Sequence, residues 1–107
     1  KNQKMPIKHI VLFKFKEAAT EAQIDEIKAA LTALDSRKGG KIEGITDLTM
    51  GKTFTDRHQG YTHALSVDLV DAAALDTYGP HADHQAVITN LIKPLLEAPP
   101  LAMDYEF

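Results

Sequence analysis

Residues 61–69 alternate as strictly as a chain of this length allows. Tyr61, His63, Leu65, Val67 and Leu69 take one side, and Thr62, Ala64, Ser66 and Asp68 the other. A period of two is the signature of a β-strand with one face buried. Such a strand cannot stand alone, because its hydrogen-bonding edges and its apolar face both need partners. The rest of the sequence must therefore supply further strands and a covering layer.

It does so in a fixed order. Residues 7–16 form a first strand, with Ile7, His9, Val11, Phe13 and Phe15 on one face and Lys8, Ile10, Leu12 and Lys14 on the other. Both faces are apolar near its middle, which marks a central strand. Residues 20–37 read as an amphipathic helix. Thr20 and Gln23 form a capping box, and Ile24, Ile27, Leu31 and Leu34 make its stripe. Gly39 and Gly40 end it. A second strand is expected over 45–54, with Leu48, Met50 and Phe54 on one side, and the alternating strand follows as the third. Asp71 caps a short helix through Tyr78, closed by Gly79-Pro80. A longer helix runs from His81, carrying His84, Val87, Ile88, Leu91 and Ile92, until Pro94 ends or kinks it. Residues 101–107 form the last strand.

The resulting βαββααβ order is the split βαβ of an α+β, ferredoxin-like subunit. One face of such a sheet is covered by helices and the other is bare. We expect the bare face to carry Phe13, Leu48, Phe54, Leu65 and Val67, and to be covered by a second copy in a homodimer.

Several classes are excluded or disfavoured. The chain has 107 residues, enough for one domain with one core. Its net charge of −3 gives no footprint for nucleic acid. There is no cysteine, hence no disulfide, thiolate metal site or cysteine nucleophile. No purely apolar run is longer than that of Ile10 to Phe13, which is too short to span a membrane. There is no Walker, dinucleotide-binding or nucleophile-elbow motif. We expect a cytoplasmic protein. We also expect residues 1–6 to be an extension outside a domain at 7–107, with Met5 as the natural start and Lys1 to Lys4 left from expression or processing.

Chemistry rests on the five histidines. His9 and His63 fall on apolar strand faces, and His84 falls on the apolar stripe of its helix, six residues after Tyr78. The bland reading is that each is a core residue hydrogen-bonded to a neighbour; three such residues and a tyrosine weigh against it, since every buried imidazole needs partners. His81-x-x-His84 is also a spacing that could bind a metal, with a strand histidine as a third ligand, although the spacing is a common one. The expectation here is no metal.

The stretch Lys8-His9-Ile10-Val11-Leu12-Phe13-Lys14-Phe15-Lys16, Gly60-Tyr61-Thr62-His63, Tyr78 followed by His84, and Asp104-Tyr105 together resemble the stress-responsive dimeric α/β-barrel family. The match runs from about Ile7 to Tyr105. The resemblance implies a dimeric α/β barrel. Its plant polyketide cyclases imply a cofactor-free cyclase or lyase acting on a hydrophobic carbonyl compound such as a polyketide. By the same resemblance His84 is the catalytic base, Tyr78 the catalytic hydroxyl and Asp104 the carboxylate that steadies His84. His9 and His63 become pocket residues, with Phe13, Leu31, Leu48, Phe54 and Leu65 as further substrate-binding walls. Two alternatives stand beside this reading: the family also contains heat-stable stress-response proteins without catalytic activity, and related barrels host cofactor-independent monooxygenase chemistry.

Overall fold

The computed structural model describes residues 4–107. Of the expected extension, residues 1–3 lie outside the described residues. Lys4 pairs with Asp71 at 3.4 Å, and the chain enters the sheet at Ile7.

Four strands, β1 (Ile7–Phe13), β2 (Ile45–Lys52), β3 (His63–Leu69) and β4 (Leu101–Glu106), form one antiparallel sheet in the order β2-β3-β1-β4. Three helices, α1 (Glu21–Thr32), α2 (Ala72–Tyr78) and α3 (Ala82–Val87), accompany it. The fold is the ferredoxin-like α+β fold.

The helices start where the sequence places caps. The Thr20 hydroxyl accepts from the Gln23 amide at 3.1 Å, and the Gln23 side chain accepts from the Thr20 amide at 2.9 Å. Asp71 caps α2 through the Ala74 amide at 2.9 Å. α1 is shorter than its apolar spacing suggests and stops at Thr32. Leu34 is nevertheless buried, because the chain folds back over the helix end. There the Asp35 carboxylate, buried and bound to the Arg37 guanidinium, is held below the usual carboxylate range by that hydrogen bond. Gly40 is required at this crossing, since a Cβ there would sit 2.2 Å from the Ala33 carbonyl oxygen.

The core lies between the sheet and the helices. Ile7, Val11, Phe13, Ile45, Met50, Leu65, Val67 and Leu69 meet Ile24, Ile27 and Leu31 of α1, together with Tyr78 and Ile92. The expected bare face is therefore corrected. Phe13, Leu65 and Val67 are buried on the helix side, with Leu48 half-buried beside them, and Phe54 is 98% exposed in the loop after β2. The uncovered face instead carries Ile10 and Leu12 of β1, cross-strand from Met103 and Leu101 of β4. Tyr105 and the adjoining Phe107 extend it, and Met103 is 68% exposed. Alternation had fixed which residues share a face, and the helices decided which face they cover.

After α3 the helix widens into a π turn over Ile88–Ile92 and tightens into a 3-10 turn over Lys93–Leu95. Pro94 accounts for the break: it lacks an amide hydrogen and its ring would strike the carbonyl four residues back. The following segment is anchored to β1's continuation, with the Lys16 amide donating to the Leu95 carbonyl and the Glu97 amide to the Lys14 carbonyl, both at 2.8 Å. Among the described residues no helix is long and apolar enough to cross a membrane.

Candidate active site

A cavity of about 640 Å³ opens between the sheet and the widened helix. Its sheet wall is His9, Val11 and Phe13 of β1 with Leu65 of β3 and Ala102 of β4; its helix wall is His84, Ile88 and Ile92; its rim runs from Lys93 to Pro100. The π turn helps to align the helix wall. In an α-helix each fourth residue advances around the axis by about 40°, so three residues spaced by four would drift off one face. A π turn holds more residues per turn and takes up the drift.

His84 is 9% exposed. Its Nδ1 lies 2.9 Å from the Gly79 carbonyl oxygen, which also accepts from the Gln85 side chain at 2.8 Å. A carbonyl only accepts, so Nδ1 carries the hydrogen and Nε2 is the basic nitrogen. Burial lowers the His84 pKa from the ordinary histidine value and keeps the ring neutral.

Tyr78 packs behind this ring. The two ring centroids are 4.2 Å apart, and His9 meets the same phenol edge-on at 5.7 Å. Tyr78 is fully buried and not among the cavity walls, and its hydroxyl has no hydrogen-bond partner among the described residues. Burial pushes the phenol far above its ordinary range, so it stays protonated.

Asp104 is not beside His84, where the resemblance put it. The β1–β4 register sets it opposite His9, and its Oδ1 accepts from His9 Nδ1 at 2.5 Å. His84 has already committed its own Nδ1 to Gly79. Met103 and Tyr105 face the uncovered side of the sheet, so Asp104 between them faces the helix side.

Of the expected walls, His9, Phe13 and Leu65 line the cavity and the others do not. Leu31 is wholly buried in the core under α1. Leu48 borders a surface cleft beside Asp35 and Arg37. His63 and Phe54 lie at a different, more open groove, shared with Lys52, Arg57 and Tyr61. His63 is buried there, with Nδ1 on the Thr62 hydroxyl at 2.8 Å and Nε2 3.5 Å from Glu21. His81 does not join His84. Its Nδ1 accepts from the Asp83 amide as the N-cap of α3, and no cluster of three metal-binding side chains occurs among the described residues. Sequence reasoning missed Val11, Ile88, Ile92, Ala102 and the rim. Val11 was legible from its alternation with His9 and Phe13, whereas residues 96–100 have no periodicity to read.

Residues 7–107 match the family model of the stress responsive A/B barrel domain. The chain belongs to that family. It is 30% identical to olivetolic acid cyclase from Cannabis sativa over 82 residues, which is 75% of this chain and 77% of that protein. Among solved structures it resembles a dimeric ferredoxin-like protein of unknown function from Thermobifida fusca, with a TM-score of 0.78, 26% identity, and coverage of 98% of this chain and 93% of that one. It also shares its fold with hydroxynitrile lyase from Passiflora edulis, with a TM-score of 0.80, 19% identity, and coverage of 98% and 95%.

Proposed function

We propose that this member of the stress-responsive barrel family is a cyclase or lyase that acts on a hydrophobic carbonyl compound, such as a linear polyketide, using only its own side chains. The observation that carries this reading is His84: its Nδ1 is committed to the Gly79 carbonyl, and its Nε2 is left basic at the wall of an apolar cavity. A neutral imidazole in such a place can remove a proton from the carbon next to a carbonyl. The relationship to olivetolic acid cyclase supports the same class of chemistry. An open cavity also favours an enzyme over a stress protein whose core would be filled there.

In this reading the proton passes to His84 Nε2 and the C–H electron pair becomes an enolate. Tyr78 is the neutral donor behind the base, and its unpartnered hydroxyl gives the enolate oxygen a hydrogen bond once the occupant has inserted beside the His84 ring. The apolar walls keep water from protonating the carbanion early. The working assembly is a homodimer joined through the uncovered sheet face, where Ile10, Leu12, Leu101, Met103 and Tyr105 leave too much apolar surface in water for a monomer.

The test is turnover of linear polyketide thioesters by wild type and His84→Gln, with thermal melts on both. Loss of the base should lower the rate by about 10²–10⁴-fold with the fold retained. Equal rates would refute the assignment.

A further inference from the structure

The relocation of Asp104 gives the cavity a second equipped imidazole. His9 faces it from the sheet and His84 from the helix, and both rings rest on Tyr78. Their hydrogen-bond partners differ in kind. His84 Nδ1 donates to a neutral carbonyl, whereas His9 Nδ1 donates to a carboxylate. A carboxylate offsets the charge of an imidazolium and a carbonyl does not. With Nδ1 taken, the nitrogen that His9 can offer to an occupant is Nε2. Asp104 is 42% exposed at its side chain, which leaves this pair a route to solvent protons.

We propose that His9, positioned by Asp104, is the proton donor that completes the reaction begun by His84. The proposal rests on the carbonyl chemistry assigned above and adds the second half of the proton inventory. His84 Nε2 takes the proton from the carbon beside the first carbonyl. The enolate carbon then bonds to a second carbonyl carbon of the same molecule. The π electron pair of that second carbonyl moves to its oxygen, which takes the proton from His9 Nε2–H, and the first carbonyl is restored. The product is an isomer of the substrate, a cyclic hydroxyketone, and nothing is oxidised or reduced. His9 is left neutral and His84 protonated, and exchange with solvent resets both. Asp104 is a positioning residue in this scheme, and His9 is catalytic.

The two halves can be separated in heavy water. The probe is a linear diketone with a pentyl tail, its carbonyls separated by three methylene groups, so that closure gives a six-membered ring. Deuterium entering beside the carbonyls reports the base, and ring closure reports base and donor together. Wild type should do both, and His84→Gln should lose both. His9→Gln should lower closure on the order of 10²-fold and exchange far less, so that the ratio of closure to exchange falls. Asp104→Asn should also keep exchange, with closure reduced about tenfold, because the ring retains a partner but not its charge. Retained exchange certifies that the site is folded. Loss of exchange together with closure in a folded His9→Gln protein, or closure that survives, overturns the proposal. If His9→Gln is unfolded by circular dichroism, Asp104→Asn decides, and an unchanged ratio of closure to exchange overturns it. Absence of exchange in wild type refutes the base itself, and the donor with it.

Discussion

Tyr78→Phe should raise stability and lower activity at once. The hydroxyl is fully buried and has no hydrogen-bond partner among the described residues, so no protein group offsets its desolvation there. Mutational series put the cost of such a group at about 1–3 kcal/mol. Removing one oxygen while keeping the ring against His84 and His9 leaves the aromatic packing in place, so most of that cost should be recovered, about 1–2 kcal/mol. For a domain of this size each kcal/mol moves the melting temperature by about 4–8 °C. Differential scanning calorimetry at one fixed protein concentration should therefore show a clear rise, the concentration being held because a dimer's melting point depends on it. In the turnover assay the same variant should lose on the order of 10²-fold, the loss expected for one hydrogen bond made to developing charge. A tyrosine whose hydroxyl is hydrogen-bonded in the core and takes no part in the reaction gives neither pattern. If the variant melts at a lower temperature, the hydroxyl has a partner in the folded state and the reasoning fails. If it is stabilised but fully active, the enolate role fails.

Two further outcomes follow from the same geometry. Since His84 must be neutral to act and burial lowers its pKa, the acid limb of kcat/KM should lie below the ordinary histidine value of 6.5; a limb above it would place the base elsewhere. Met103→Lys sets a charge within the apolar part of the uncovered face, so light scattering at micromolar concentration should show the mass fall by half, whereas an unchanged dimer would move the interface off this face.

The strands were legible because alternation reports faces directly, and the caps because Thr20, Asp71 and the Gly79-Pro80 break act through local hydrogen bonds. Three things were not written locally. The choice of covered face depends on where the helices dock, and β1 is apolar on both sides, so Phe13 and Leu65 could be assigned to either. The partner of Asp104 depends on the β1–β4 register, which joins residues 95 positions apart. The end of α1 was overrun because Leu34 continues the apolar spacing, although its burial comes from a turn. The candidate site was legible to the same degree. His84 and His9 sit at the cavity, while His63, Leu31, Leu48 and Phe54 share the apolar or strand character of pocket residues and belong to other surroundings.

The π turn at Ile88–Ile92 sets the length of chain that this segment can have. It accommodates one residue more than a regular helix would use over the same rise, so deleting one residue there would let the hydrogen bonds return to the ordinary pattern and make a better helix. The same deletion would swing Ile92 away from His84 and pull Leu95 and Glu97 out of step with Lys14 and Lys16, whose backbone they bind. Local helical stability and the shape of the cavity therefore favour different lengths. A substitution at 88–92 keeps the spacing of the wall, but a change of length there cannot be absorbed without remaking the wall and rim together.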